Sequence, residues 1–272
     1  MTEGRVVGVW GPTGAPGRTS TAIGIATSLT MSGHRVILVD ADTYGGAIAA
    51  CLELFDEVPG FLSFARLVEA ERLDDSDIDR LVHRCLIGKN ELAVLTGITN
   101  TARWPELSPA RVRAAIARLR QDFDFVVVDL GFNLEEDEEI VSDLMSPRRN
   151  QTTATLVKLS DCVVAVSNAE VVGLARFIHS LESVKLLAES TPIVSVINRL
   201  RRKGALSSAA VTVRTTLHRF AGIDEVSFID EDVRSFDAAT AAGVPLAVAA
   251  PRSNARKQLD ELAQYVVERT VA

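Results

Sequence analysis

Short runs of β-branched and other apolar residues recur along the chain, separated by longer stretches of mixed polarity. Within each run the apolar residues are continuous and do not alternate with polar ones, which is typical of strands covered on both faces of a sheet. The pattern therefore predicts an α/β fold with a doubly wound, mostly parallel sheet and helices on both faces. The predicted strands are residues 5–10, 35–40, 92–95, 124–129, 161–166, 192–197 and 226–229.

The stretches between these runs carry helix signals. Ser108 and Pro109 supply an N-cap and a first-turn residue for a helix over 108–122. Ser253 precedes a C-terminal helix. Its apolar face consists of Leu259, Leu262, Val266 and Val267. That helix has neither a basic polar face nor bulky aromatic anchors, so we expect it to pack on the sheet and not on a membrane. Since we find no internal repeat and no linker, one domain over 1–272 is predicted.

The composition is that of an ordinary globular chain. Its 272 residues are 47% apolar, which is enough to bury a full core without covalent staples. The net charge of −7 disfavours broad attraction to nucleic acid or anionic lipid. No apolar run approaches the ~20 residues of a membrane span, and no signal-peptide pattern opens the chain, so we expect a cytoplasmic protein without integral membrane association. Cys51, Cys85 and Cys162 are far apart in apolar surroundings, which favours buried free thiols.

Two charged segments stand out against this background. Residues 135–139 are all acidic, and Pro147, Arg148 and Arg149 follow them before the next predicted strand. The acidic run is typical of a solvated helix face. The basic run at 199–203, RLRRK, directly follows a predicted strand, where open α/β sheets bind ligands.

The candidate chemistry begins in the segment VVGVWGPTGAPGRTSTA, residues 6–22. It predicts a strand, a glycine-rich loop over 11–19 and a helix from Thr19 onward. Such a unit aims backbone N–H groups and a helix N-terminus at one point, which is where a polyphosphate binds. A buried stripe of this helix is predicted at Ala22, Ile23, Ala26 and Leu29.

Carboxylates follow two other predicted strands. Asp40 and Asp42 end the second strand, and Asp129 ends the fourth. Because the carboxyl ends of parallel strands share one edge of the sheet, these side chains are expected beside the loop. Mg²⁺ takes few direct protein ligands and is steadied by acidic groups through its waters. The pattern therefore predicts Mg²⁺ at this edge.

Together these segments resemble the ParA/MinD superfamily of P-loop ATPases, whose deviant Walker A motif reads K-G-G-x-G-K-[ST]-[ST]. The motif aligns without a gap on residues 13–20, TGAPGRTS. The step from Arg18 to Asp42, 42 − 18 = 24 residues, is similar to the family's step from its Walker lysine to the aspartate that positions the attacking water. Three further segments resemble the family. They are VSNAEVVGLARFI, VINRL and FIDEDVRSFDAATAAGVPL, and the likeness covers about residues 5–250.

The resemblance implies ATP or ADP with Mg²⁺ as cofactors. It implies that Asp42 orients water, that Arg18 lies over the phosphates and that Asn198 reads adenine. The implied cofactor-binding residues are Gly14, Ala15, Gly17, Arg18, Thr19, Ser20, Asn198 and Arg199. The implied metal site consists of Thr19, Asp40 and Asp129, with Arg18 and Asp42 as the catalytic pair.

The chain also departs from the family motif. Arg18 replaces the Walker lysine, and a planar guanidinium cannot simply occupy a point-charge site between phosphates. Thr13 replaces the lysine that reaches the partner's nucleotide in family dimers. Pro16 removes one loop N–H, and Asp230 stands where the family usually has proline near adenine. We therefore expect nucleotide binding with weak or slow hydrolysis.

Arginines in the segment after Asp129 offer a way to restore the missing charge. Arg148 and Arg149 correspond to the family's switch region and either supply charge to the nucleotide or pair with the acidic run at 135–139. Both readings are open from the sequence.

Within the superfamily the degenerate motif resembles the CpaE/TadZ-like proteins of tight-adherence pilus and secretion systems. This likeness implies a homodimer that positions or recruits a protein partner in a pilus, secretion or cell-pole assembly. One alternative is a pseudo-ATPase scaffold that binds no nucleotide. Another is a DNA-partitioning ATPase that binds DNA non-specifically through Arg199, Arg201, Arg202 and Lys203.

Overall fold

The computed structural model describes residues 3–54, 60–135, 148–201 and 209–271. Its strands are β1 Arg5–Trp10, β2 Val36–Ala41, β3 His83–Ile87, β4 Asn90–Leu95, β5 Phe125–Leu130, β6 Cys162–Asn168, β7 Ile193–Leu200 and β8 Val226–Asp230. Its helices are α1 Arg18–Met31, α2 Ile48–Cys51, α3 Gly60–Glu69, α4 Asp75–Leu81, α5 Pro109–Asp122, α6 Gln151–Leu159, α7 Val171–Ala188, α8 Ala209–Ala221, α9 Val233–Ala241, α10 Leu246–Ala249 and α11 Asn254–Val271. A 3-10 helix covers Thr101–Glu106.

These strands form one sheet in the spatial order β3-β4-β2-β5-β1-β6-β7-β8. All neighbours are parallel except β3 and β4. Strands β2 to β5 lie on one side of β1 and strands β6 to β8 on the other, so β1 lies centrally between β5 and β6. The predicted doubly wound, mostly parallel α/β sheet is confirmed.

The core lies on both faces of this sheet. Along β1, Val6 and Trp10 face one apolar cluster, which includes residues of α3 and α5 to α8. Val7 and Val9 face the other, which includes residues of α1 and α11. The strands are apolar at successive positions because both faces are covered.

Helix α1 is the most deeply buried element next to the sheet, with Thr21 to Thr30 all buried. A Cβ on Gly24 would lie 2.7 Å from a methyl carbon of Leu259, so α1 and α11 approach closely at this glycine. The stripe predicted at Ala22, Ile23, Ala26 and Leu29 is buried, and the burial extends around the whole helix.

The antiparallel edge strand β3 was not predicted. Its residues alternate in exposure, and Leu86 is 71% exposed, so HRCLI contains no continuous apolar run. The other predicted strands agree with the structure apart from shifted ends; β7 continues through Asn198 to Leu200. The predicted start of α1 at Thr19 is one residue late.

The predicted helix caps are present. Ser108 Oγ accepts the Arg111 N–H at 3.3 Å, and Ser253 Oγ accepts the Arg256 N–H at 3.3 Å. The three cysteines are unbridged, but only Cys162 is buried, and the other two are half-buried. Their expected burial is therefore wrong for Cys51, which ends α2, and for Cys85, which lies in the edge strand β3.

Candidate functional site

The glycine-rich loop runs from the end of β1 to the start of α1. Gly17 precedes the helix in the left-handed conformation, with φ 96°, and no side chain caps the helix. The first N–H groups of a helix have no partner within it, so those at the head of α1 are suited to bind an anion. Gly14 is also left-handed, with φ 75°. The predicted order of strand, glycine-rich loop and helix is present, and phosphate binding by the loop stays a prediction.

Two residues of the loop, Ala15 and Pro16, offer no free N–H group to a phosphate. The Ala15 N–H donates to the Pro12 carbonyl at 2.9 Å, within a turn of the loop itself. Pro16 has no N–H. The amides of Gly14, Gly17 and the first residues of α1 are thus the better-placed donors, and a role for Ala15 stays a prediction.

Asn198 holds the loop from the neighbouring half of the sheet. Its Nδ2 donates to the Pro16 carbonyl at 3.1 Å, and its side chain is 4% exposed. A Cβ on Gly17 would lie only 1.9 Å from this Nδ2. Glycine is therefore required at position 17 by both φ and space. The structure places Asn198 at the loop, and a contact of Asn198 with adenine stays a prediction.

Two of the predicted metal residues meet directly below the loop. Thr19 Oγ1 donates to Asp129 Oδ2 at 2.6 Å. The other oxygen, Asp129 Oδ1, is buried with no hydrogen-bond partner. A buried carboxylate oxygen without a donor is costly unless a cation or water satisfies it. Mg²⁺ therefore fits this position, with Thr19 and Asp129 as the residues that would hold it or its waters.

Asp40 lies beside them in the sheet. It is in register with Asp129 on the adjacent strand, and both side chains are 1% exposed. Its two oxygens accept the main-chain N–H groups of Asp42 and Ile48, each at 3.2 Å. The predicted juxtaposition is confirmed, but Asp40 also shapes the turn after β2. Among the described residues, no group of three or more His, Cys, Asp or Glu side chains could by itself hold a metal ion.

Burial of these carboxyl groups has an electrostatic consequence. Desolvation, the largest cause, and the neighbouring Asp129 together raise the pKa of Asp40 to about 8. Desolvation likewise raises the pKa of Asp129 to about 7, although the Thr19 hydrogen bond and Arg18 oppose the rise. The pair therefore favours retaining a proton near neutral pH, and a divalent cation would displace that proton.

The two predicted catalytic residues form an ion pair with each other. Arg18 Nη2 lies 3.1 Å from Asp42 Oδ2, and the side chains are 17% and 7% exposed. Arg18 Nη1 also lies 3.4 Å from the Gly11 carbonyl. The structure thus brings Arg18 and Asp42 together at the loop, and their catalytic roles stay predictions.

The segments after β2 and β5 are joined by contacts that the sequence did not reveal. The Tyr44 hydroxyl donates to Asn150 Oδ1 at 2.6 Å. Arg149 lies over the Tyr44 ring at 4.0 Å and donates through Nε to the Thr43 carbonyl at 3.2 Å. Neither reading offered for Arg149 from the sequence describes this contact, because aromatic stacking and a main-chain carbonyl hold the guanidinium. Residues 136–139 of the acidic run lie outside the described residues.

Arg199 lies where two pockets adjoin the loop. It is left-handed, with φ 56°, at an irregularity in the β7–β8 pairing. A pocket of about 260 Å³ is lined by Gly17, Ser20, Asn198 and Arg199, among others, and one of about 400 Å³ by Gly14 and Arg199, among others. A strained non-glycine backbone is characteristic of functional sites. The sequence-predicted Ser20 and Arg199 are therefore placed at pockets beside the loop.

Two residues that were not selected from the sequence also adjoin the loop. Asn168 ends β6 opposite Asn198 and lines the larger pocket. Arg176 Nη1 donates to the Thr13 carbonyl at 3.2 Å. Both occur in VSNAEVVGLARFI, a segment quoted for its resemblance, and a polar residue ending a strand is the signal that could have identified Asn168.

The basic run begins inside β7 with Arg199, and of its described cations Arg201 is ion-paired. Arg201 donates through Nε to Glu231 at 2.8 Å. Arg202 and Lys203 lie outside the described residues. Asp230 stands where the resembling family usually has proline near adenine. It accepts a hydrogen bond from Asn254 at 2.6 Å and lines the smaller pocket.

None of the helices in the described part of the chain is long and apolar enough to cross a membrane.

A doubly wound sheet with a glycine-rich loop, an uncapped helix and strand-end aspartates has the architecture of a P-loop ATPase. The fold matches that of solved ParA and MinD structures. A ParA family ATPase from Chlorobium tepidum TLS has a TM-score of 0.76 and 18% identity, covering 96% of this chain and 99% of that chain. MinD from Pyrococcus horikoshii OT3, complexed with Mg-ADP, has a TM-score of 0.70 and 16% identity, covering 96% and 95%.

A comparison of sequences points the same way. The chromosome partitioning protein ParA of Myxococcus xanthus is 25% identical over 199 residues, which are 68% of this chain. The matched region is 60% of that relative's length. No family model matches the chain.

The buried carboxyl groups of Asp40 and Asp129 make the stability of the fold depend on pH. A raised carboxyl pKa means that the folded protein binds more protons than the unfolded chain, so this contribution is fully present below pH 3.8 and is lost as the pH rises through 7 to 8. Asp129→Asn removes one ionisable group. We expect the fall in the free energy of unfolding between pH 6 and 9 to shrink by roughly 1–3 kcal/mol. Urea unfolding at constant salt measures it.

Asp79→Asn is the matched control for this prediction, because Asp79 has a side chain that is 77% exposed. It should retain the pH dependence of the unchanged protein. Equal slopes for all three proteins would show that the buried pair is already ionised at pH 6.

Proposed function

We propose that the chain is a ParA/MinD-like ATP-binding protein with a degenerate Walker A loop, which holds Mg-ATP or Mg-ADP and hydrolyses ATP slowly or not at all. Its nucleotide-dependent state positions or recruits a partner assembly in the cytoplasm. The observation that carries the proposal is the contact of Thr19 with Asp129 under an uncapped helix N-terminus, beside an unpartnered carboxylate oxygen. Backbone donors for phosphate and an acceptor for Mg²⁺ thus converge on one point.

In this proposal the phosphates lie on the amides at the head of α1, with Arg18 as their side-chain cation. Thr19 holds Mg²⁺, and Asp129 and Asp40 hold its waters. The bound metal supplies charge neutralisation at the phosphates. Asn198 and Arg199 adjoin the base, since they line the smaller pocket beside the loop. The Mg-ADP named with the Pyrococcus horikoshii MinD structure supports this choice of ligand.

Slow turnover is supported by three features of the loop. Arg18 is paired with Asp42, the residue proposed to orient water. In this pair Arg18 is not free for the phosphates, and Asp42 is not free for the water. The Ala15 amide is used within the loop, and Pro16 has none. Electrostatic stabilisation of a phosphoryl transition state depends on donors that are already in place. A loop with fewer such donors suits holding nucleotide better than hydrolysing it.

Association with a second copy and with a partner protein completes the proposal. Val171 and Val172, at the start of α7, are 84% and 60% exposed, and Val171 borders an apolar pocket that adjoins the loop region through Ala169. Exposed apolar residues that cluster beside a ligand site favour an interaction surface. We propose a homodimer here, without a lysine contribution from position 13, and a pilus, secretion or cell-pole assembly as the partner.

Titration calorimetry with Mg-ATP and Mg-ADP tests the central claim. We expect saturable binding, and Arg18→Ala should weaken it by roughly 1.5–3 kcal/mol, the range for a hydrogen bond to a charged group. Arg80→Ala, which removes an exposed arginine paired with Asp77 on α4, should bind as the unchanged protein does. Absence of binding would refute the proposal and favour the nucleotide-free scaffold.

Magnesium dependence is tested at Asp129. We expect Asp129→Ala to weaken binding of Mg-ATP roughly tenfold or more, since the carboxylate nearest Thr19 is lost. Its folded state should survive, because a buried carboxyl group with an unpartnered oxygen carries a desolvation cost that alanine removes. Circular dichroism checks the fold. Unchanged affinity in saturating Mg²⁺, with Asp79→Ala run alongside, would remove Asp129 from the metal site.

Turnover is tested by Arg18→Lys. If the guanidinium alone slowed hydrolysis, lysine would restore it. We expect the variant to bind ATP while phosphate release rises less than about tenfold, because Pro16 still lacks its amide and the Ala15 amide is still occupied. A larger rise in a phosphate-release assay would locate the whole defect at position 18.

A further inference from the structure

The ion pair between Arg18 and Asp42 uses the one loop cation that the proposed function assigns to phosphate. The atoms lie 3.1 Å apart, and the Asp42 side chain is only 7% exposed. Little water reaches the pair, so the attraction is weakly screened. A phosphate group that binds Arg18 must therefore compete with a carboxylate that already holds it.

Asp42 is held in place by its other oxygen. Asp42 Oδ1 accepts the N–H of Tyr44 at 2.8 Å and that of Gly45 at 3.3 Å, which closes a turn after β2. Tyr44 is anchored in turn by Asn150 and by Arg149. Because the turn is tied at several points and Arg18 has a long side chain, we expect Arg18 to be the partner that moves.

Moving Arg18 away from Asp42 leaves a carboxylate without its cation at the carboxyl end of β2. Asp42 would lose its cation close to two further carboxyl groups. These are Asp40 at the end of β2 and Asp129 at the end of the adjacent β5, and both residues are 1% exposed. The main chain already links Asp42 to Asp40, since the Asp42 N–H donates to Asp40 Oδ1 at 3.2 Å. Arg149, the other guanidinium at this turn, is held by the Thr43 carbonyl and the Tyr44 ring. An anion that arrives alone would therefore add charge to an acidic cluster.

We propose that Asp42 is a specificity-determining counter-ion, which makes the loop accept nucleotide only as its Mg²⁺ complex. The inference rests on the proposed function of the same site. Phosphate oxygens replace Asp42 on Arg18, and the divalent cation that enters with them balances the carboxylate left behind. Metal-free nucleotide takes Arg18 but leaves Asp42 uncompensated, so it binds poorly.

The test compares ATP binding in Mg²⁺ and in EDTA for the full chain and for Asp42→Asn. Asparagine keeps Oδ1 for the turn and removes the charge that faces Arg18. For the unchanged protein we expect affinity in EDTA to be lower than in Mg²⁺ by roughly a hundredfold. In Asp42→Asn this ratio should fall by roughly tenfold or more, mainly through tighter binding in EDTA.

Asp161→Asn is the matched control. Like Asp42, Asp161 pairs with an arginine and accepts a main-chain hydrogen bond. It lies 3.0 Å from Arg120 and accepts the Val6 N–H at 2.7 Å. It directly precedes β6, at the amino ends of the strands and away from the loop. It should keep the ratio of the unchanged protein. If Asp42→Asn fails to fold, Asp42→Ser provides a second variant, because its hydroxyl can accept a turn N–H.

The outcomes separate this inference from the proposed function. Equal affinity of the unchanged protein in Mg²⁺ and EDTA, or the same ratio in Asp42→Asn, overturns the counter-ion role and leaves ATP binding standing. Binding by Asp42→Asn alone would mean that Asp42 blocks the loop even in Mg²⁺, which overturns both the counter-ion role and ATP binding by the natural chain. Binding by neither protein overturns both.

Discussion

The hydrogen bond from Thr19 to Asp129 joins the two halves of the candidate site. It connects the head of α1 to the carboxyl end of β5 over a distance of 2.6 Å. Both elements are held in place by apolar packing on the sheet. β1 pairs with β5 along nearly its whole length, so the loop that leaves β1 must pass over Asp129. Phosphate donors and a metal-facing carboxylate are brought together by burial of apolar strands, not by local preference.

The same burial creates an electrostatic problem that the site's residues partly resolve. Asp40 and Asp129 are nearly inaccessible to water, and their raised pKa values express the cost of ionising them there. Asp42 is better compensated, because a guanidinium and two main-chain N–H groups surround it. A divalent cation bound here would offset that desolvation cost, which is why anion binding and metal binding are expected to be linked.

Much of this was predictable from the sequence, for identifiable reasons. Continuous apolar runs predicted the central strands, since both faces of the sheet are covered, whereas HRCLI was missed because an edge strand needs only one apolar face. Strand-end aspartates could be placed on one edge because parallel strands share their direction. The contact of Asn198 with the Pro16 carbonyl could not be predicted, because the two residues are 182 positions apart and meet only through sheet order.

The sequence by itself determined the doubly wound α/β class, the loop between β1 and α1, and the presence of one arginine and three aspartates around it. These follow from local periodicity, glycine conformations and the direction of parallel strands. Only the tertiary structure decided that Arg18 pairs with Asp42, that Arg149 stacks on Tyr44, and that one oxygen of Asp129 lacks a partner. Side-chain pairing depends on distances of a few ångströms between distant segments, which packing of the whole sheet sets.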